Sequence, residues 1–164
     1  MHNHLERNLI GYGPETPDPQ WPGDARIAVS FVLNYEEGGE NTILNGDPAS
    51  EVFLTETPGG VPVQGGRDLS TESIYEYGSR AGFWRILRLF AERNMRFTSW
   101  AVGRALELNP AAGKAMVEGG HEVASHGWRW INYKDFTLEQ ELEHLKLAIK
   151  AIEDSTGRKP VGWY

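Results

Sequence analysis

Short apolar runs that stop abruptly in glycine or ionisable residues alternate with amphipathic stretches along this chain, and that alternation narrows its fold. Ile27 to Leu33, Phe97 to Val102, Val123-Ala124 and Val161 to Tyr164 are short and without a polar face, so they read as buried strands. Ser79 to Arg93 reads as a helix, with Phe83, Ile86, Leu87 and Phe90 on one stripe and Arg85, Arg88 and Glu92 on the wet side. A second helix is expected from Pro110 to about Glu118, capped by Asn109 and stopped by Gly119-Gly120. A third runs from Thr137 to Ser155. Thr137 and Gln140 form its capping box, Leu138, Leu142, Leu145, Ile149 and Ile152 its buried face, and Gly157 with Pro160 its end.

Strand and helix in alternation predict an α/β fold with parallel strands. A closed eight-stranded barrel takes about 250 residues, and 164 residues with four strands supply about half of one. A fourth strand ending the chain would leave an apolar edge unpaired. The expectation is therefore the N-terminal half of a (β/α) barrel lacking its C-terminal half, with an open four-stranded domain as the alternative.

In such folds the carboxyl ends of the strands carry the site. The first strand runs into Asn34-Tyr35-Glu36-Glu37-Gly38-Gly39 and the third into Ser125-His126-Gly127-Trp128-Arg129-Trp130. Two carboxylates and an imidazole are thus delivered to one rim, which folding does not require. Glu36, Glu37 and His126 are the candidate catalytic residues. Like charges side by side raise one carboxyl pKa, which makes that group a general base near neutral pH. His126 offers a base or donor that titrates near working pH. Asn34, Tyr35, Trp128, Arg129 and Trp130 are the candidate substrate contacts; core packing for either tryptophan and a surface position for the arginine are the ordinary alternatives. His121 lies in the turn before the strand and is read as pointing away from the rim. His144, His2 and His4 are not read as ligands.

A zinc hydrolase takes three protein ligands and an open position. Glu37 and His126 give two, and the position four residues after His126 is Trp130. No cofactor is therefore expected; the alternative is a divalent metal such as zinc, with Glu37 and His126 among its ligands.

Residues 1–24 are polar and turn-rich and read as an extended arm, leaving 25–164 as the barrel domain. Gly38 to Leu69 has no clear period and is long for a loop in a compact domain, as binding loops and lids are; a simple insertion is the alternative. A net charge of −7 with no basic patch argues against nucleic acid and anionic membrane as partners. Cysteine is absent, which excludes thiol chemistry. No apolar run reaches the length of a membrane span, so the cytoplasm is the expected compartment.

Asn8 to Gly13, Trp21 to Val29, Leu33 to Asn41, Glu72 to Gly82 and Glu122 to Gly127 together resemble the polysaccharide deacetylase (NodB-homology) superfamily, and within it the PuuE-type allantoinase branch. It implies a distorted (β/α) barrel and hydrolysis of non-peptide C–N bonds. Glu36 and Glu37 fall where deacetylases place two aspartates, one a base and one a metal ligand. Only His126 matches the family's histidine pair; Trp130 replaces the second, as in the allantoinase-like branch. The resemblance implies opening of a cyclic ureide such as allantoin, with deacetylation of an N-acetyl sugar and non-catalytic ligand binding or assembly as alternatives. It also implies a homo-oligomer.

Overall fold

A computed structural model describes residues 9–164. Residues 1–8, which include His2, His4 and part of the predicted arm, lie outside the described residues. Among those described, three parallel strands form one sheet in the order β1-β2-β3: β1 Val32–Tyr35, β2 Thr98–Ala101 and β3 Glu122–Ser125. Val32 pairs with Thr98 and Thr98 with Glu122, so the strands end level with one another. The helices are α1 Leu69–Tyr77, α2 Phe83–Glu92, α3 Gly103–Leu108, α4 Pro110–Glu118 and α5 Leu138–Thr156.

Alternation along each strand gives the sheet two faces. Tyr35 and Ala101 turn to the helices, where they join Phe83, Phe97, Val102, Ala105, Leu106, Ala112, Met116, Val123 and Ile152 in the core. Aromatic edges order this layer: the Phe83 ring centroid lies 5.2 Å from that of Tyr35, and the Phe97 ring 5.1 Å from Phe90. Asn34, Trp100 and Ala124 share the opposite face.

The first strand is displaced from its predicted span. Residues 27–31 precede it and are exposed. The predicted fourth strand contracts to a single parallel bridge between Ser125 and Trp163. The helix expected from Ser79 starts ten residues earlier as α1, since the Asp68 carboxylate accepts from the Ser70 and Thr71 amides. It passes through a π-helical turn, Gly78–Gly82, into α2.

Helix α3 was not foreseen. Gly103 at its start lets α5 come close: a Cβ there would stand 2.8 Å from the Ala148 Cα. Asn109 precedes α4, but its side chain makes no cap bond; it donates to the Tyr35 hydroxyl at 2.8 Å. The Thr137–Gln140 capping box and the left-handed Gly157 stop of α5 are as read. Its buried face is narrower and smaller than predicted, made by Ala148, Ala151 and Ile152, while Leu138 and Leu142 are exposed.

Candidate active site

Two residues beyond the Asn34–Trp100–Ala124 row, the same alternation sets Glu36 and His126 on one side of the sheet. Glu36 Oε1 lies 3.1 Å from His126 Nε2 and accepts from the Asn34 amide nitrogen at 2.9 Å. Both groups are largely buried, Glu36 to 8% exposure. The other imidazole nitrogen, Nδ1, stands 3.3 Å from the Tyr164 carbonyl oxygen. A carbonyl only accepts, so Nδ1 carries hydrogen, and a carboxylate facing Nε2 favours hydrogen there too. The His126 pKa is accordingly raised: the Glu36 hydrogen bond is the largest cause, the Tyr164 carbonyl and the Glu36 charge add to it, and burial opposes.

Glu37 reaches the same place through a turn. Gly38 takes φ +100°, a conformation side chains rarely adopt, and the Gly39 amide donates to the Glu36 carbonyl at 2.8 Å. The Glu37 Oε2 accepts from the Glu36 amide at 3.1 Å. Its carboxylate occupies space that only glycine leaves free, since a Cβ on Gly78 would lie 2.1 Å from Oε1. Burial raises the Glu37 pKa, and the charges of Glu36 and Glu40 add to that; hydrogen bonds from its own and the Glu36 amide partly offset it. Asn34, Glu36, Glu37, Leu54, Ile74 and Tyr75 line one cavity of about 260 Å³.

The remaining predicted contacts lie elsewhere. Tyr35 is 1% exposed on the helical face, because the alternation that brings Asn34 and Glu36 inward turns it outward. Trp128 packs against Gly103 and lines a groove with Leu106, Pro110 and Leu147. Trp130 sits edge-on to Phe53 at 6.2 Å and faces a separate cavity of about 490 Å³. Arg129 is buried: Nε donates to the Gly39 carbonyl at 3.0 Å, and Nη2 to the Glu40 carbonyl at 2.9 Å and to Asp47 at 2.5 Å. It braces the turn behind the glutamates and does not line the cavity.

His121 is buried at the opposite strand end, stacked on Phe97 at 3.7 Å and accepting its amide. His144 pairs with the Tyr133 hydroxyl at 2.9 Å. The sequence reading missed Trp100, which stacks on Tyr164 at 3.6 Å with its ring 6.2 Å from His126. It also missed Leu54 and Tyr75. The Asn34–Trp100 register was the available signal for the first; nothing periodic marks the other two.

Residues 70–164 match the family model for polysaccharide deacetylase, and the chain belongs to that family. A Schizosaccharomyces pombe protein classed by name among polysaccharide deacetylases is 47% identical over 163 residues, covering 96% of this chain and 51% of that protein. The crystal structure of PuuE allantoinase superposes on 96% of the chain and 52% of its own length, at 54% identity and TM-score 0.90. A Pseudomonas aeruginosa PAO1 structure described as a probable polysaccharide deacetylase gives 56% identity and TM-score 0.91, covering 96% of this chain and 53% of that one. The chain spans about half the length of the relatives it matches. Its three strands and their helices are one half of the (β/α) barrel those structures share.

Membership corrects one expectation. The polysaccharide deacetylases, whose family model matches residues 70–164, are metal-dependent, so the reading that no cofactor is involved does not stand. The residues of this half do not complete a metal site. Among the described residues no three His, Asp or Glu side chains gather as a ligand set, and the carboxylate against His126 is that of Glu36. Among the described residues no helix is long and apolar enough to cross a membrane.

Proposed function

We propose that this chain carries the acid–base half of a hydrolase acting on a non-peptide carbon–nitrogen bond, and that its substrate is a small cyclic ureide such as allantoin, opened to the linear acid. One observation carries the reading: the 3.1 Å contact of His126 with Glu36, which with Glu37, whose pKa is raised, lines a cavity of about 260 Å³. The 54% identity to PuuE allantoinase supports the choice of substrate.

Ureide hydrolysis needs a proton taken from water and a donor for the oxygen or nitrogen that gains charge. Glu37 is the proton acceptor, because a carboxyl raised toward neutral pH is a usable base. Glu36 favours the charged form of His126, and Asn34 orients Glu36. His126 then donates to the developing oxyanion or to the departing ring nitrogen. Residues 25–164 form the catalytic half-barrel in this reading, with 1–24 as an arm.

Deacetylation of an N-acetyl sugar is the second reading, favoured by the family model and by the name of the S. pombe relative. The purified native protein distinguishes them when assayed on allantoin and on an N-acetylglucosamine oligosaccharide, before and after chelation and metal add-back. Ring opening of allantoin is expected. Metal-dependent acetate release with no ring opening would move the assignment to the second reading.

A further inference from the structure

Leu54 stands at the acid cavity in a way that folding does not explain. Its backbone is left-handed, φ +55°, as is that of Glu56, φ +56°, a region a branched side chain avoids. Its side chain is 68% exposed in this half-barrel. The loop is nonetheless fastened on both flanks. The Glu51 carboxylate accepts the Val52 amide at 2.8 Å and the Phe53 amide at 3.0 Å. The Tyr75 hydroxyl donates to the Phe53 carbonyl at 3.2 Å, and the Thr55 hydroxyl to the Val52 carbonyl at 3.2 Å. A leucine held in that backbone region on an anchored loop is unfavourable for stability. What it faces is the cavity of Glu36 and Glu37, whose other apolar lining is Ile74 and the ring of Tyr75.

We propose that Leu54 is a specificity-determining residue: it closes the mouth of the acid cavity over one face of a small planar ring, leaving the ring's N–H and C=O edge to Glu36, Glu37 and Asn34. The inference rests on the proposed ureide reading and deepens it. A flat ring accepts an apolar cover, whereas a sugar ring presents hydroxyls that such a cover would leave unpaired.

The test compares Leu54→Gly, Leu54→Asn and Leu54→Met in the native protein, with allantoin as substrate. Glycine and asparagine both suit the left-handed backbone, so their melting temperatures hold or rise while KM increases roughly tenfold, the order a lost apolar contact gives. Methionine keeps an apolar cover, and its KM stays near that of the native protein. Unchanged KM in Leu54→Gly or Leu54→Asn, or an equal rise in Leu54→Met, would overturn the proposal. Glu36→Gln run alongside separates the two readings: if it retains turnover, the ureide mechanism fails, whatever Leu54 does.

Discussion

Glu36 and His126 meet 3.1 Å apart although one leaves β1, the other leaves β3, and β2 lies between them. The contact follows from parallel strands that end level and from side chains that alternate across them. It ties the ionisation of one group to the other. With Glu36→Gln, the His126 pKa is expected to fall back toward the ordinary histidine value, because the largest cause of its rise is removed. The imidazole titration, followed by NMR, measures this. The sign for stability is fixed: a raised histidine pKa contributes fully below the ordinary value of about 6.5 and is lost as pH climbs through the raised one.

Glu37 predicts the complementary pH effect. Burial raises its pKa, so the folded state favours the protonated acid. That contribution is whole below the ordinary carboxyl value and disappears as pH rises through the raised one, leaving a buried charge at neutral pH. Glu37→Gln should therefore melt higher than the native protein at pH 7, by about 2–4 °C for each kcal/mol relieved. The difference should vanish near pH 4, and turnover should be lost. Thermal melts across this range decide it.

Gly78 separates site geometry from stability. A Cβ there would lie 2.1 Å from Glu37 Oε1, 2.8 Å from its Cδ and 2.9 Å from its Cγ, so the glutamate side chain must move. Gly78→Ala should keep or raise the melting temperature, since alanine is favoured over glycine in a helix by about 1 kcal/mol. Turnover should drop by up to about a hundredfold as the carboxylate is displaced. Parallel melting and rate measurements test the pair of effects.

Arg129 tests the brace behind the site. Arg129→Ala removes bonds to Gly39, Glu40 and Asp47 and leaves Asp47 without its cation. A loss of about 3 kcal/mol in urea unfolding is expected. Arg129→Lys should recover only part of it, because an ammonium cannot bridge two carbonyls and a carboxylate in one plane.

The α/β alternation, the capping box of α5 and the placing of Glu36 and His126 on one side of the sheet were legible because each depends on local pattern and on a period of two or 3.6. Tyr35 and Arg129 were misread for a tertiary reason. Tyr35 obeys the same alternation as Glu36 but in the opposite phase, so adjacency in sequence puts it in the core. Arg129 spends its donors on carbonyls of a loop far away in the chain, which no local signal records. Helix α1 was missed because it buries only Thr71 and Tyr75 and has no apolar stripe. Leu54 was invisible because its meaning lies in a left-handed backbone angle and an anchored loop.

The steady-state hydrolysis of allantoin by the native protein and its Glu36→Gln variant tests the account most directly. The account predicts that the native protein opens the ring and that the variant loses at least about a hundredfold in kcat, the scale of a lost acid–base pair. A Glu36→Gln variant that turns over as fast as the native protein would contradict it.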